Sequence, residues 1–226
     1  MLAAFPATAI SRGMSPEEFA RRIPQLFHVT DQGAWPLIER HGLLSANTLI
    51  DRFAPERERE RLKGTRRTEP LTLHEAEGER AMLNDNKPLH FPLLAPTLRD
   101  GLTPEAWLRL LNGRVFLWPR LERGSGFLDA GRRGGREKLL LTFDALRFAR
   151  AHHERIDIAP INTGSATRKP TPRGHAIFTP IAQTTWSEWR QLRAPEKRTP
   201  DTVAEVSVRG DVPDAVALLS RDPEPI

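Results

Sequence analysis

The 226-residue chain contains no cysteine and no tyrosine. The first absence excludes disulfides, thiol nucleophiles, iron–sulfur clusters and thiolate zinc sites together. The second removes every phenolic hydrogen bond and leaves five Trp and ten Phe as the aromatic stock. Lysine is scarce as well. Of 34 basic residues only Lys63, Lys87, Lys138, Lys169 and Lys197 are lysine, so the cationic surface is almost entirely guanidinium, the group suited to bidentate phosphate contacts. A genomic Arg bias accounts for the same composition. No stretch approaches the roughly 18 apolar residues of a membrane span. The opening residues carry no basic cluster ahead of their apolar ones and are broken by Pro6, a poor signal peptide. A cytoplasmic protein with no membrane partner is expected. Neither Gly-x-Gly-x-x-Gly nor a Gly-Lys-Ser/Thr phosphate loop occurs, and Gly131-Arg132-Arg133-Gly134-Gly135-Arg136 is neither.

The residues that are present suffice for a core: 38% are hydrophobic. Twenty Pro and fifteen Gly keep the elements short. Ser15-Pro16-Glu17-Glu18 starts a helix that stops before Pro24. Leu26 to Thr30 is rich in aromatic and β-branched residues and reads as a strand. Trp35, Leu37, Ile38 and His41 then follow helical spacing up to a Gly42 cap. Residues 51 to 80 mix a charged helix with polar loop. A helix capped by Thr103 ends at Asn112-Gly113, and strands follow at Arg114–Trp118 and, beyond a Gly- and Arg-rich loop at 123 to 136, at Lys138–Phe143. Short strands are expected around Ile156–Ile158 and Ala176–Phe178, a helix over Thr185–Leu192, a strand at Val203–Val208 and a terminal helix from Pro213. The elements lack regular βαβ alternation, so the expected fold is a single α+β domain over residues 15–226 behind a flexible N-terminus at 1–14.

Candidate chemistry is sparse. His28 and Thr30 share one face of their strand. Glu205 is the only acid in the last alternating strand, with Ser207 on its face and Ala204, Val206 and Val208 on the other. His152 and His153 are adjacent and point apart, so no metal is expected. Gly124-Ser125-Gly126 is not a nucleophile elbow.

Leu26-Phe27-His28-Val29-Thr30, then Trp35-x-x-Ile38-x-x-His41-Gly42-Leu43-Leu44, and near the other end Val203-Ala204-Glu205-Val206-Ser207-Val208 followed by Val212-Pro213, resemble the motifs of the ADP-ribosyltransferase superfamily. They are most similar to the DarT-type DNA ADP-ribosyltransferases, with a further likeness to the RNA 2′-phosphotransferases and to an uncharacterised bacterial family. The resemblance implies split antiparallel or mixed sheets with peripheral helices, NAD as substrate, no metal, and transfer of ADP-ribose to a nucleic-acid base, DNA first. It also implies a toxin-like role with an antitoxin or ADP-ribose hydrolase as partner.

By that resemblance Glu205 is the catalytic carboxylate and His28, Val29 and Thr30 hold NAD. Phe116 and Trp118, on one face of their strand, shape the nicotinamide or acceptor side. The family also uses an Arg after its first motif. Arg52, Arg57, Arg59 and Arg80 all qualify, and Arg52 is taken first. Arg114 or Arg120 is expected at the NAD pyrophosphate or the acceptor, and Asn162 in the Asn162–Ser165 turn at the border of the site. The family's first strand usually reads Tyr-His, whereas here Phe27 precedes His28, so ring contacts survive and phenol hydrogen bonds do not. The alternatives are a non-catalytic NAD- or nucleic-acid-binding module of the same fold and a 2′-phosphotransferase.

Overall fold

The structure is a computed structural model that describes residues 13–74, 80–121, 137–167, 170–193 and 203–226. Residues 1–12 of the expected flexible N-terminus, the loop at 123–136 and its Gly124-Ser125-Gly126 lie outside the described residues. Met14, however, is fully buried in the main core, with its N–H donating to the Thr184 carbonyl at 3.1 Å. The packed domain therefore begins at least one residue ahead of the expected boundary.

Ser15 caps α1 (Pro16–Arg22) by accepting from the Glu18 N–H at 3.1 Å. Strand β1 (Gln25–Asp31) follows, and a 3-10 turn at Gln32–Ala34 leads into α2 (Trp35–His41). That helix ends at Gly42, whose φ is +72°, and a Cβ there would lie 2.2 Å from the Val212 carbonyl oxygen. Both the left-handed backbone and the close approach demand glycine. Helices α3 (Ala46–Phe53) and α4 (Glu56–Gly64) come next; α4 is the expected charged helix, burying only Leu62 and Gly64.

The segment expected as polar loop beyond it forms a hairpin of β2 (Leu71–His74) and β3 (Arg80–Leu83). Leu73, Ala81 and Leu83 fold back onto Ile50 and Phe53 of α3, a satellite core that each four-residue strand is too short to announce. A short α5 (Phe91–Leu94) precedes α6 (Pro104–Asn112), capped by Thr103 as expected, then β4 (Arg114–Leu117) and β5 (Lys138–Asp144). Asp144 caps α7 (Ala145–His152), a helix the sequence analysis did not register, by accepting from the Arg147 N–H at 2.8 Å.

The remaining elements are β6 (Ile156–Ala159), β7 (Thr179–Pro180), α8 (Trp186–Arg193), β8 (Glu205–Arg209) and β9 (Glu224–Pro225). Two expectations fail. Ala176–Phe178 is not a strand, because a 3-10 turn at His175–Ile177 occupies it and pairing starts at Thr179. No α-helix starts at Pro213. Val212 is spent on a bridge to Leu43, and the chain turns into one 3-10 turn at Val216–Leu218.

The fold is α+β with antiparallel sheets. One sheet has the order β1-β5-β9 and the other β4-β8-β6-β7, with every strand pair antiparallel. Leu26, Leu141 and Phe143 of the first meet Val115, Leu117, Ile156, Ile158, Val206 and Val208 of the second in one core, closed by Phe19 of α1 and Phe148 of α7. At one corner the sheets touch: Phe27 and Trp118 exchange backbone hydrogen bonds of 2.9 and 2.8 Å. No helix among the described residues is long and apolar enough to cross a membrane.

Candidate active site

The bridge between Phe27 and Trp118 sets His28 beside Phe116. His28 Nδ1 lies 2.9 Å from the Phe116 carbonyl oxygen. A carbonyl only accepts, so Nδ1 carries the proton, and in the neutral ring Nε2 is left as an acceptor. Burial lowers the His28 pKa and so favours that neutral form, although the Phe116 carbonyl opposes it.

Glu205 opens β8 and pairs with Ala159 of β6. It is 5% exposed, and its Oε1 accepts from the Thr163 hydroxyl at 2.5 Å and from the Thr163 N–H at 3.4 Å. Burial pushes its carboxyl up to about 7, against the Thr163 hydrogen bonds and the positive charges of Arg114 and Arg173. Near neutrality the group thus lies between its two protonation states, a condition common among functional carboxylates.

His28 and Glu205, 177 positions apart in the chain, line a single cleft of about 710 Å³. That volume falls inside the range of roughly 300–1,000 Å³ typical of small-molecule sites. Val29, Thr30, Phe116, Trp118, Arg114 and Asn162 also line it. Leu37, Ile38 and Leu49 from α2 and α3 add apolar surface to the lining. Below Thr30, a buried ion pair between Lys138 and Asp31 at 2.7 Å fixes the end of β1 to β5. Asn162 is exposed, and its Oδ1 accepts from the Gly164 N–H at 3.1 Å within the turn.

The two terminal motifs hold each other. Leu43 and Val212 exchange backbone hydrogen bonds of 3.0 and 2.8 Å. Asp211 accepts from the Ser45 N–H at 2.7 Å and from the Thr48 hydroxyl at 3.0 Å. The helix carrying His41-Gly42 and the strand carrying Glu205 are thereby locked in register.

The arginines are disposed differently from the expectation. Arg114 lines the cleft but is no free phosphate ligand: it pairs with buried Asp157 at 2.5 Å, donates to Ser207 at 3.2 Å and lies 4.0 Å over the Phe178 ring. Arg52 and Arg120 lie outside the lining, with Arg52 placed over Phe53 at 5.5 Å and Arg120 exposed. Of the alternatives weighed for the loop arginine, Arg80 lines the cleft. So does Arg67, which sequence reasoning missed. Its Nε donates to the Asn84 carbonyl at 2.9 Å, while Nη1 is buried without a hydrogen-bond partner among the described residues. Arg173 was missed as well, and Thr163 was placed at the border of the site only as part of the 162–165 turn, since nothing local marks a side chain whose carboxylate partner is 42 residues away. His152 sits between Arg155 and Asp214, each 2.8 Å away, as part of the packing behind β8. No cluster of three or more metal-ligating side chains occurs among the described residues.

The protein is thus an α+β domain in which a buried carboxylate and a neutral imidazole face one cleft. It belongs to a family of unknown function, DUF7002, whose model matches residues 24–219. The matched span runs from β1 past β8 and so includes both sides of the cleft. No curated protein and no solved structure matches the chain.

Proposed function

We propose that the protein is an NAD-dependent ADP-ribosyltransferase with an ADP-ribosyltransferase-like fold, acting on a nucleic-acid base, DNA in the first instance. One observation carries the reading: the two residues singled out by resemblance at opposite ends of the chain, His28 and Glu205, line the same cleft. Transfer breaks the bond between nicotinamide and ribose C1′, and the electron pair leaves with nicotinamide. The sugar becomes oxocarbenium-like, and a base nitrogen of the acceptor then bonds to C1′ and gives up its proton.

Each residue has a part in that sequence. His28 Nε2, an acceptor because Nδ1–H is committed to Phe116, receives a hydrogen bond from a ribose hydroxyl and orients the dinucleotide. Glu205 accepts from the 2′-hydroxyl, and its negative charge stabilises the sugar most as positive charge develops there. Shielding from water strengthens that attraction. It also raises the carboxyl to about 7, so the ionised, competent form is only partly populated at neutrality. Phe116 and Trp118, which line the cleft, would give nicotinamide or the acceptor base aromatic surface to pack on. The Arg-rich surface supplies sequence-independent attraction for phosphates.

The test is release of labelled nicotinamide from NAD with single-stranded DNA, duplex DNA, RNA or protein as acceptor, for wild type and Glu205→Gln. Release that depends on a nucleic acid and is lost in the variant supports the reading. Release by neither protein with any acceptor leaves a binding module. Consumption of NAD only with a 2′-phosphorylated RNA makes the protein a 2′-phosphotransferase.

A further inference from the structure

One turn removed from Glu205, through Thr163, lies a buried arginine with no carboxylate in direct contact among the described residues. Arg173 is 3% exposed and does not line the cleft. Its backbone is fixed first: its N–H donates to the Thr97 carbonyl at 2.9 Å, and its own carbonyl accepts from the Arg99 N–H at 2.9 Å. From that anchor the side chain reaches back across the turn at 162–165. Nη1 donates to the Thr163 carbonyl at 3.2 Å and the Ser165 carbonyl at 2.7 Å, and Nε donates to the Thr171 carbonyl at 3.0 Å. The Trp107 indole N–H adds a contact to the same Thr163 carbonyl at 3.4 Å. Thr163 is fully buried, and its hydroxyl and N–H are the donors that hold Glu205 Oε1.

We propose that Arg173 is the positioning residue for Glu205: it pins the turn whose Thr163 aims the carboxylate, and it supplies a buried positive charge outside the cleft lining. The inference rests on Glu205 acting as the transfer carboxylate. Three carbonyls neutralise no charge, so the arginine's field is not cancelled by its own hydrogen-bond partners. The effect is mutual, because Glu205 raises the Arg173 pKa against the lowering by burial while Arg173 lowers that of Glu205. The other charged or titratable groups around Glu205 are differently disposed. Arg114 of β4 also lowers its pKa but is neutralised by Asp157 of β6, and Asp157 is shared with Arg209 of β8. On the β1 side His28 is held neutral, and Lys138 of β5 is paired with Asp31.

Two readouts separate this role from mere packing. The first needs no substrate: a ¹³C-carboxyl NMR titration of Glu205, assigned with Glu205→Gln. In Arg173→Met the midpoint is expected to rise by about one pH unit, the size of effect a nearby opposite charge has on a carboxylate. In Arg173→Lys it stays near the wild-type value. The second is nicotinamide release: both variants lose about tenfold in kcat with KM for NAD kept, because one ammonium does not reproduce the guanidinium fork. A folded Arg173→Met with an unshifted midpoint overturns the proposal. Should that variant not fold, Arg173→Lys decides, and a wild-type kcat in it overturns the proposal equally. If wild type releases no nicotinamide, the transferase reading falls, while the titration still reports whether Arg173 sets the state of Glu205.

Discussion

Two buried carboxylates on neighbouring strands of the four-stranded sheet are treated in opposite ways. Asp157 of β6 is 1% exposed and lies between two guanidinium groups, Arg114 at 2.5 Å and Arg209 at 2.9 Å. Glu205 of β8 is 5% exposed and, among the described residues, takes its hydrogen bonds from the hydroxyl and N–H of Thr163. The first charge is fully answered within the protein and does structural work. The second is under-compensated, is pushed up to about 7, and faces a cleft. One acid has two arginines in direct contact and the other, among the described residues, a threonine with only the fields of Arg114 and Arg173, the arrangement that leaves a carboxylate's charge open to a ligand in the cleft.

The contrast is most sharply tested by removing the satisfied carboxylate. Asp157→Asn leaves Arg114 and Arg209 facing each other without a counter-ion, and breaking such a pair costs about 3 to 5 kcal/mol. Urea titration should show a loss of that order; a loss below about 1 kcal/mol erases the distinction between the two acids.

Glu205→Gln should behave in the reverse sense. The folded pKa of about 7 lies above the ordinary value of 4.5. The stability tied to that proton is therefore fully present below 4.5 and is lost as pH rises through 7. Replacing the acid by its neutral isostere removes the loss, so the variant should be more stable than wild type at pH 8 by up to about 3 kcal/mol and indistinguishable at pH 4. Equal melting temperatures of the two proteins at pH 8 contradict the raised pKa. A gain in stability with a loss of turnover is the exchange expected at a site strained for function.

A smaller effect is expected at His28. Its Nε2 is one hydrogen-bond acceptor, so His28→Ala should raise KM for NAD about tenfold, with a lesser change in kcat. A kcat loss exceeding the KM change would make His28 a participant in the chemistry. The smallest effects belong to the arginines outside the cleft. Arg52→Ala and Arg120→Ala should leave kcat/KM for NAD within about twofold of wild type at physiological salt, where exposed charges are screened. Arg67→Ala, inside the lining, should not.

Most of the framework carrying the site was legible because its signals are local. The cap at Ser15, the aromatic strand of His28, the glycine after His41 and the Thr103 cap are each read within a few residues, and each is present. The strand of Glu205 is present too, but it starts at Glu205 and is buried on both faces, so the inside–outside alternation expected from Val203 is not seen. The hairpin of β2 and β3 escaped because two four-residue strands become stable only against Ile50 and Phe53. Pro213 looked like a helix start, but Val212 is claimed by Leu43. The site's polar surroundings were the least legible part. Arg114 reads as a free cation until Asp157 is placed on the same sheet. Thr163 and Arg173 acquire meaning only when a turn and a loop converge behind β8. Pairings made across dozens of residues leave no periodicity to read.

The central claim is that Glu205 is the carboxylate of nicotinamide–ribose cleavage. The measurement that meets it most directly is the pH profile of nicotinamide release from labelled NAD in the presence of single-stranded DNA, wild type against Glu205→Gln. Wild-type turnover should rise with pH through a midpoint near 7 as Glu205 ionises, and the variant should be at least about 100-fold slower and lack that midpoint. A variant as fast as wild type, or a wild type that releases no nicotinamide across the range, would contradict the account.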